Sequence, residues 1–457
     1  MKAVSKPNVL IVLSDQLRRQ ALSTYGDPNI VTPHVDDLAG RGVRFENASS
    51  TCPICVPFRF TFMTGLYAHG RKVPGIEYRM SPAERTLADE FNEAGYETIY
   101  TGKWHLDGGH GRMGSARQCG RMPVKKAYRG RWQKWMGFEL RNGPFDTYYF
   151  EDDDPTPKPV EGYQTDGLFE LAMDYLETRD PSRPFCMVIS VEPPHDPFEA
   201  PEAMQRTWEA MDIVLPPNVD AADAEAMEQI MLNRKRYYAM VENLDWNMGR
   251  LGAFLLRTGL HGETVVLLLS DHGELGGAHG LRGKQWPYEE STGIPLIVAD
   301  PRHPDRAGAV IDDPVSTEDL FPTILGLAGL RPRDALPGEN LAPLIHGNSG
   351  RLEREGVMLE FVAELRQGMA FYDWVWRGYR SARYKYTVRG DNLGGAGPWQ
   401  FFDLAEDPWE QRNLIDDPAY RSEITRLHGL LLNRMKETDD HFVLLPAFGM
   451  EGLNTWD

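Results

Sequence analysis

The sequence predicts an α/β protein with a large, mostly parallel sheet sandwiched by helices, followed by a smaller C-terminal α+β domain carrying an antiparallel sheet. Three observations carry this expectation. First, NVLIVL (8–13), YETIY (96–100), FCMVISV (185–191) and TVVLLLS (264–270) are short, nearly continuous apolar runs. Such runs suit strands covered on both faces. Second, helical periodicity lies among them, in RTLADEFNEAG (85–95), DGLFELAMDYLETR (166–179) and about 222–256. Strands alternating with helices make a parallel, helix-covered sheet. Third, composition shifts at HGNSGR (346–351), and WVWRGYRSARYKYTVRG (374–390) then alternates as antiparallel strands do. Residues 1–350 are therefore expected to form the large α/β domain and 351–457 the smaller one.

Each buried run ends in polar residues. Ser14-Asp15-Gln16 follows the first, TGKWH the second, EPPHD the third and Asp271-His272 the fourth. In open α/β sheets, ligands bind beyond the carboxyl ends of the strands, so these four clusters converge on one pocket. Residues 106–165 break the alternation. Arg112 to Lys134 is rich in glycine and basic residues, and Asp152 to Asp154 follow with several prolines. This stretch is expected to be a surface excursion on the pocket side, a lid with Trp132 and Trp135 or else a solvated loop or oligomer contact.

Bulk properties exclude several classes. A formal net charge of -18 argues against nucleic-acid binding, which needs clustered cations. No apolar run approaches the roughly 18 residues of a membrane span, and the run near the N-terminus is too short for a secretory signal. A cytoplasmic location is expected. The apolar tail HFVLLPAFGMEGLNTWD is expected to pack on the fold or on another subunit of a homo-oligomer. Four cysteines in 457 residues are too few for a disulfide framework. Cys119 and Cys186 are isolated, the latter inside a buried strand.

The other two lie in TCPICVPFRF (51–60). A redox C-x-x-C belongs just after a strand in a much smaller fold, and a zinc site needs a second ligand pair. Neither accounts for Pro57, Arg59 and Thr64-Gly65. Cys55-Val56-Pro57-Phe58-Arg59 with Thr64-Gly65 does match the C-x-P-x-R and T-G elements of the type I sulfatases, in the alkaline-phosphatase superfamily. NVLIVLSDQ is similar to that family's first metal motif, TGKWHL to its basic motif and PPHDPF to its histidine loop. SDHGELGGAHGLRGK followed by IPLIV resembles its second metal motif and lysine, and FFDLAEDPWEQRNL its C-terminal signature.

The resemblance implies an alkaline-phosphatase-like mixed sheet and hydrolysis of a sulfate monoester of a small molecule or carbohydrate. It implies that Cys55 is oxidised to formylglycine by a formylglycine-generating enzyme. One hydroxyl of the hydrated aldehyde attacks sulfur, and the other then expels sulfate as the aldehyde returns. A serine there would be left as a stable sulfate ester. By the same resemblance, Asp15, Gln16, Asp271 and His272 bind one divalent metal. Calcium is the first expectation, and the imidazole admits manganese, magnesium or zinc. Lys103 binds sulfate and diol oxygens, His105 orients or deprotonates the second hydroxyl, and Arg59 holds the diol. His195 and Lys284 bind sulfate and protonate the leaving oxygen.

Three departures qualify the match. Many members carry Asp-Asp and Asp-Asn where this chain has Asp15-Gln16 and Asp271-His272, and a small residue where it has Phe58. Phosphonate monoester hydrolases of the superfamily share the Asp-Gln and Asp-His pairs, so a phosphonate monoester or phosphodiester hydrolase is the alternative. Those relatives generally lack the paired Lys and His of GKWH, which favours sulfate. Among other histidines, His34 is expected at a helix start, while His279 and His110 are weaker candidates for the pocket.

Overall fold

Seven consecutive buried residues, Asn8–Ser14, form strand β1, and the main sheet extends outward from it on both sides. The structure is a computed structural model that describes residues 6–108, 121–141, 143–364, 366, 371, 374–391 and 396–442. After β1 come β2 (Val43–Phe45), β3 (Ala48–Ser49), β4 (Glu97–Lys103), β5 (Lys134–Phe138), β6 (Tyr148–Glu151) and β7 (Lys158–Pro159). They are followed by β8 (Phe185–Val191), β9 (Thr264–Ser270), β10 (Leu296–Ala299) and β11 (Ala309–Ile311). Among the described residues, ten strands form one sheet in the order β11-β2-β10-β9-β1-β8-β4-β5-β6-β7.

The centre of this sheet is parallel. β1 pairs in parallel with β8 and β9, and β4 with β8 and β5. β10 runs antiparallel to both β9 and β2, and β6 and β7 add antiparallel pairs at the far edge. The sheet is mixed and mostly parallel, as expected.

Side-chain alternation along β1 explains the layering. Val9, Ile11 and Leu13 face a core shared with the helices Cys55–Thr64, Leu87–Glu93 and Leu320–Leu327. Leu10 and Val12 face the opposite core, built with the helices Pro33–Arg41, Gln164–Thr178 and Ala224–Arg257. A strand with a helical layer on each side has no polar face, which is why its sequence reads as a continuous apolar run. His34 lies in the first turn of Pro33–Arg41, the helix start expected for it.

Short β12 (Val315–Ser316) pairs with β3, and a second sheet follows. Its strands are β13 (Gly356–Phe361), β14 (Trp374–Ser381), β15 (Tyr384–Asp391) and β16 (Ala396–Asp403), antiparallel in sequence order. One face packs Met358, Tyr386 and Phe401 against Ile424, Leu427 and Leu431 of the helix Arg421–Glu437. The other, through Leu359, Phe361 and Trp376, joins the core around the helix Cys55–Thr64.

The expected surface excursion needs correction. Within 106–165, β5, β6 and β7 extend the main sheet by three strands. Trp132 and Trp135 are buried against Tyr100, whose ring centroid lies 5.5 and 5.3 Å from theirs, so neither indole is free to cover a ligand. Arg112, His110 and Cys119 lie outside the described residues, as does the tail from 443 onward.

Candidate active site

Register brings the four polar clusters together. Ser14 is paired with Val191 on one side and Ser270 on the other, and Gly102 with Ser190. The parallel strands β9, β1, β8 and β4 therefore end at one edge. Asp271-His272, Asp15-Gln16, Glu192 and Lys103 leave from it side by side. Gly102 makes the close approach of β4 feasible. Its φ is +95°, and a Cβ there would stand 2.0 Å from the Ser190 carbonyl oxygen.

Cys55 is the first residue of the helix Cys55–Thr64, which points its N-terminus at this edge and ends at Gly65 with φ 72°. The thiol sulfur lies 3.2 Å from His272 Nε2, 3.4 Å from Lys284 Nζ and 3.5 Å from Asp15 Oδ1. Burial and the Asp15 carboxylate push the Cys55 thiol up, but Lys284, Lys103 and His195 outweigh them and draw it down to about 7. Phe58 does not crowd this space: it is buried in the core and stacks on Phe62 with centroids 6.2 Å apart.

Arg59, one turn along the helix, is completely buried. It donates to the Lys103 carbonyl and Ser190 Oγ, both at 2.9 Å, and to Asp15 Oδ2 at 3.2 Å and Asp271 Oδ2 at 3.4 Å. Burial opposes its charge, but Asp271, Tyr100 and Asp15 hold its pKa above the ordinary value. Lys103 Nζ lies 2.8 Å from Asp15 Oδ2 and 3.4 Å from Glu192 Oε1. Burial of Lys103 is likewise overcome by these two carboxylates, so the ammonium stays protonated. His105, with φ 55°, is buried, and neither ring nitrogen has a hydrogen-bond partner among the described residues. Burial, with the Lys103 and Arg59 charges, holds its pKa well below the ordinary value, so the ring is neutral.

On the opposite wall, Lys284 Nζ lies 2.8 Å from both Gln16 Oε1 and His195 Nε2. His195 Nδ1 faces the Asp196 carbonyl at 2.7 Å. With Lys284 donating to Nε2, the imidazole proton belongs on Nδ1. Six of the ten residues singled out in the sequence, Gln16, Cys55, Lys103, His105, His195 and Lys284, line one cavity of about 400 Å³, while Asp15, Arg59, Asp271 and His272 lie buried behind Cys55 and Lys103. His279 does not join them: it stacks on Tyr288 at 3.8 Å and lies 3.2 Å from Asn218 Nδ2.

Sequence reasoning missed several neighbours. Glu192 receives Lys103, the Arg141 amide and Gln164. Tyr100 donates to the Lys103 carbonyl. Arg366, paired with Glu364 at 2.7 Å, stands in the cavity wall. Glu192 sits in EPPHD and was legible as part of a strand-end cluster; Arg366 comes from a distant segment and carried no signal.

One corner has the donor set of a cation site. Asp15 Oδ1 and Asp271 Oδ1 each lie 3.5 Å from His272 Nε2. His272 Nδ1 is engaged by the Gly273 carbonyl at 3.0 Å, leaving the Nε2 lone pair toward the carboxylates. Burial and nearby Lys284 outweigh the carboxylates and hold the ring at about 4, hence neutral. Burial also raises Asp15, but Lys103, His195 and Lys284 keep it ionised. Asp271 is pushed up by burial and by the charge of Asp15. Two buried carboxylates and an inward imidazole lone pair fit a divalent cation, which would relieve their repulsion.

The sulfatase family profile matches residues 7–330. The chain belongs to the sulfatase family, enzymes that hydrolyse sulfuric esters. A second profile, N-sulphoglucosamine sulphohydrolase, C-terminal, matches residues 277–437 of this sulfatase. It is similar to an ulvan-active sulfatase of Formosa agariphila, 31% identical over 96% of this chain and 83% of that protein. It is also similar to an arylsulfatase of Clostridium perfringens, 28% identical over 96% of each chain. The solved structure of the sulfatase yidJ from Bacteroides fragilis superposes with a TM-score of 0.86 at 26% identity, covering 97% of this chain and 98% of that one. Both thiols of the C-x-x-C pair in this sulfatase are free, and Cys52 is buried away from the cavity. Among the described residues no helix is long and apolar enough to cross a membrane.

Proposed function

We propose that this protein releases inorganic sulfate from a sulfate monoester of a carbohydrate, with residue 55 acting as formylglycine. The observation carrying this reading is Cys55 at a helix N-terminus, within 3.5 Å of His272, Lys284 and Asp15. Oxidised by a formylglycine-generating enzyme and hydrated, residue 55 supplies a geminal diol: one hydroxyl able to attack sulfur, the other able to release sulfate by carbon–oxygen cleavage. Asp15, Asp271 and His272, with Gln16 beside them, would hold a divalent cation, calcium in the first instance. The cation would supply charge neutralisation and an acidified hydroxyl.

The chain's own side chains carry the remaining work. Lys103 and Lys284 flank Cys55 as fixed positive charges, placed to neutralise sulfate oxygens as charge builds in the transition state. Neutral His105, with neither ring nitrogen hydrogen-bonded among the described residues, is suited to accept the proton of the second hydroxyl. Lys284, oriented by its hydrogen bond to His195 Nε2, can pass a proton to the departing alcohol. Arg59 fixes Asp15 and Asp271 and the end of β4. All these residues fall between 15 and 284, which supports assigning catalysis to residues 1–350.

Carbohydrate is favoured over a simple aryl ester by the ulvan-active sulfatase among the relatives. No contact in the site specifically favours the phosphonate or phosphodiester alternative. The test is mass spectrometry of the peptide spanning residues 51–60 from a host with the modifying enzyme, paired with sulfate release from an aryl sulfate. A peptide about 18 Da lighter than the thiol form, with release abolished in Cys55→Ala, is expected. An unmodified thiol in active protein would overturn the mechanism. Phosphonate turnover exceeding sulfate release would overturn the substrate class.

A further inference from the structure

A second cavity, of about 450 Å³, adjoins the catalytic one, and Asp196, Arg282 and Gly283 line both. Its walls include Arg18, just after the Asp15-Gln16 turn, and Arg234, within the helix Ala224–Arg257. Both are buried, at 4% and 7% exposure, an extent rare for arginine without a carboxylate partner. Neither has one. Among the described residues, Arg18 Nη1 donates to the Glu274 carbonyl at 3.2 Å, and Arg234 donates to the Gly276 and Leu275 carbonyls at 2.7 and 3.4 Å.

The acids nearby are engaged elsewhere. Glu274 accepts the Gly276 and Gly283 amides, both at 2.8 Å, through one oxygen and Gln16 Nε2 at 2.6 Å through the other. Glu290 takes Asn218 through Oε1 at 2.6 Å; its Oε2 has no hydrogen-bond partner among the described residues, and its charge acts on Arg18 and Arg234 from beyond ion-pair distance. Asp196 is at the rim, its side chain 64% exposed and 3.3 Å from His195. Burial, together with the like charge of Arg18, draws Arg234 down to about 10. Two guanidiniums that repel each other across a cavity, hydrogen-bonded only to carbonyls and balanced by Glu274 and Glu290 without direct ion pairs, form a poised receptor for an oxyanion. Exposed Arg282 adds a third cation at the wall shared with the catalytic cavity.

We propose that this cavity is a second anion subsite, taking a carboxylate or a further sulfate carried by the same ester whose sulfate reaches residue 55. The assignment rests on the sulfatase reading of the neighbouring site and deepens it: the substrate is a polyanionic saccharide, and the guanidinium pair selects for its second charge. The apolar floor of Phe198, Tyr237 and Tyr238 is available to the sugar between the two anions.

The experiment uses the full chain in its converted form. Hydrolysis of 4-nitrophenyl sulfate, which carries one charge, is inhibited with a monosulfated hexuronate–hexosamine disaccharide or with its carboxylate methyl ester. Inhibition constants are compared in wild type, Arg234→Gln and Arg234→Lys. In wild type the free carboxylate is expected to bind at least about tenfold more tightly than the ester. That preference should vanish in Arg234→Gln and return in part in Arg234→Lys, which also serves if the glutamine variant folds poorly. No preference in wild type, or the same preference in all three, overturns the proposal.

If wild type cleaves no sulfate ester, the activity reading fails instead, and the cavity is read by calorimetry of Cys55→Ala with inorganic sulfate. Two sites are expected there and one in Cys55→Ala/Arg234→Gln; one site in both overturns the subsite. Arg234-dependent binding of inorganic sulfate without any carboxylate preference would assign the cavity to a free anion and overturn the substrate-borne reading.

Discussion

The sulfur of Cys55 lies 3.2 Å from Nε2 of His272, and both side chains are buried. The proposed nucleophile and the proposed cation corner therefore share one site, held by the ends of β1 and β9 and by one helix N-terminus. Replacing the sulfur alone should leave that frame intact. Cys55→Ala is expected to lower sulfate release about ten-thousandfold or more, the scale of removing a nucleophile. Its melting temperature should stay near that of wild type. Activity surviving in Cys55→Ala at more than a few per cent would show that chemistry runs elsewhere.

Cation binding should be visible as stability. Asp15 and Asp271 are buried beside each other, both held by Arg59, so a bound dication adds stability by occupying the folded state only. Calcium at about a hundred times its dissociation constant should add about 2.7 kcal/mol, read as a rise in melting temperature. Chelation should abolish sulfate release. Asp271→Asn should lose the calcium-dependent rise and most of the activity. A melting temperature indifferent to calcium, manganese, magnesium and zinc would remove the cation from the account.

Cys52 offers a check on the thiol-redox alternative. Burial and the charge of Glu360 push its pKa well above the ordinary value, so it is a poor thiolate. Cys52→Ser should keep sulfate release within about twofold and cost about 1–3 kcal/mol of stability, since a more strongly hydrated hydroxyl is desolvated in the buried place of the thiol. Loss of activity matching that of Cys55→Ala would bring the pair back as a functional unit.

The elements legible in the sequence were those whose physics is local. β1, β4, β8 and β9 are buried on both faces, so their runs announce strands, and the polar residues at their ends announce a pocket. Strands β5, β6 and β7, which run out to one edge of the sheet, were missed because KWMGF, YYFE and KP are short and carry or adjoin charged residues. Their strand character comes from pairing at the sheet edge rather than from local pattern. Trp132 and Trp135 looked like ligand aromatics for the same reason: nothing local says that Tyr100 lies beneath them. Arg234 is hardest of all. On a 34-residue helix an arginine reads as solvated, and only the approach of Arg18 and the 274–276 turn makes it buried and unpaired.

The join between the second sheet and the helix Cys55–Thr64 should be pH-dependent. His69, just beyond the helix Cys55–Thr64, has Nδ1 2.6 Å from Glu360 Oε2 on β13 and Nε2 3.1 Å from the Thr438 carbonyl. Burial opposes protonation, but the Glu360 carboxylate and its hydrogen bond, with Asp440, raise the imidazole above its ordinary value of 6.5. A folded-state pKa above the unfolded one means that the folded protein binds the proton more tightly. The contribution is full below 6.5 and disappears as pH rises through the folded value. His69→Gln should therefore cost about 2 kcal/mol near pH 6, the scale of a charged buried hydrogen bond, and progressively less in alkali. Urea midpoints of both proteins from pH 5.5 to 9 would read this out. A constant difference across that range would mean that His69 acts without its charge.

Gly102 ties the fold to the site most directly. At φ +95° it occupies backbone space that an L-side chain rarely adopts, and the Ser190 carbonyl oxygen stands where a Cβ would go. That contact is backbone against backbone, so no rotamer change relieves it. Gly102→Ala must separate β4 from β8, and with it move Lys103 away from Asp15 and the Lys103 carbonyl away from Arg59. We expect a loss of about 3 kcal/mol or more, read from denaturant midpoints. We also expect a fall in sulfate release in the fraction that remains folded, because the cationic wall shifts with the strand. Wild-type stability in Gly102→Ala would show that β4 can slide without cost and that the register of Gly102 with Ser190 is not what positions Lys103.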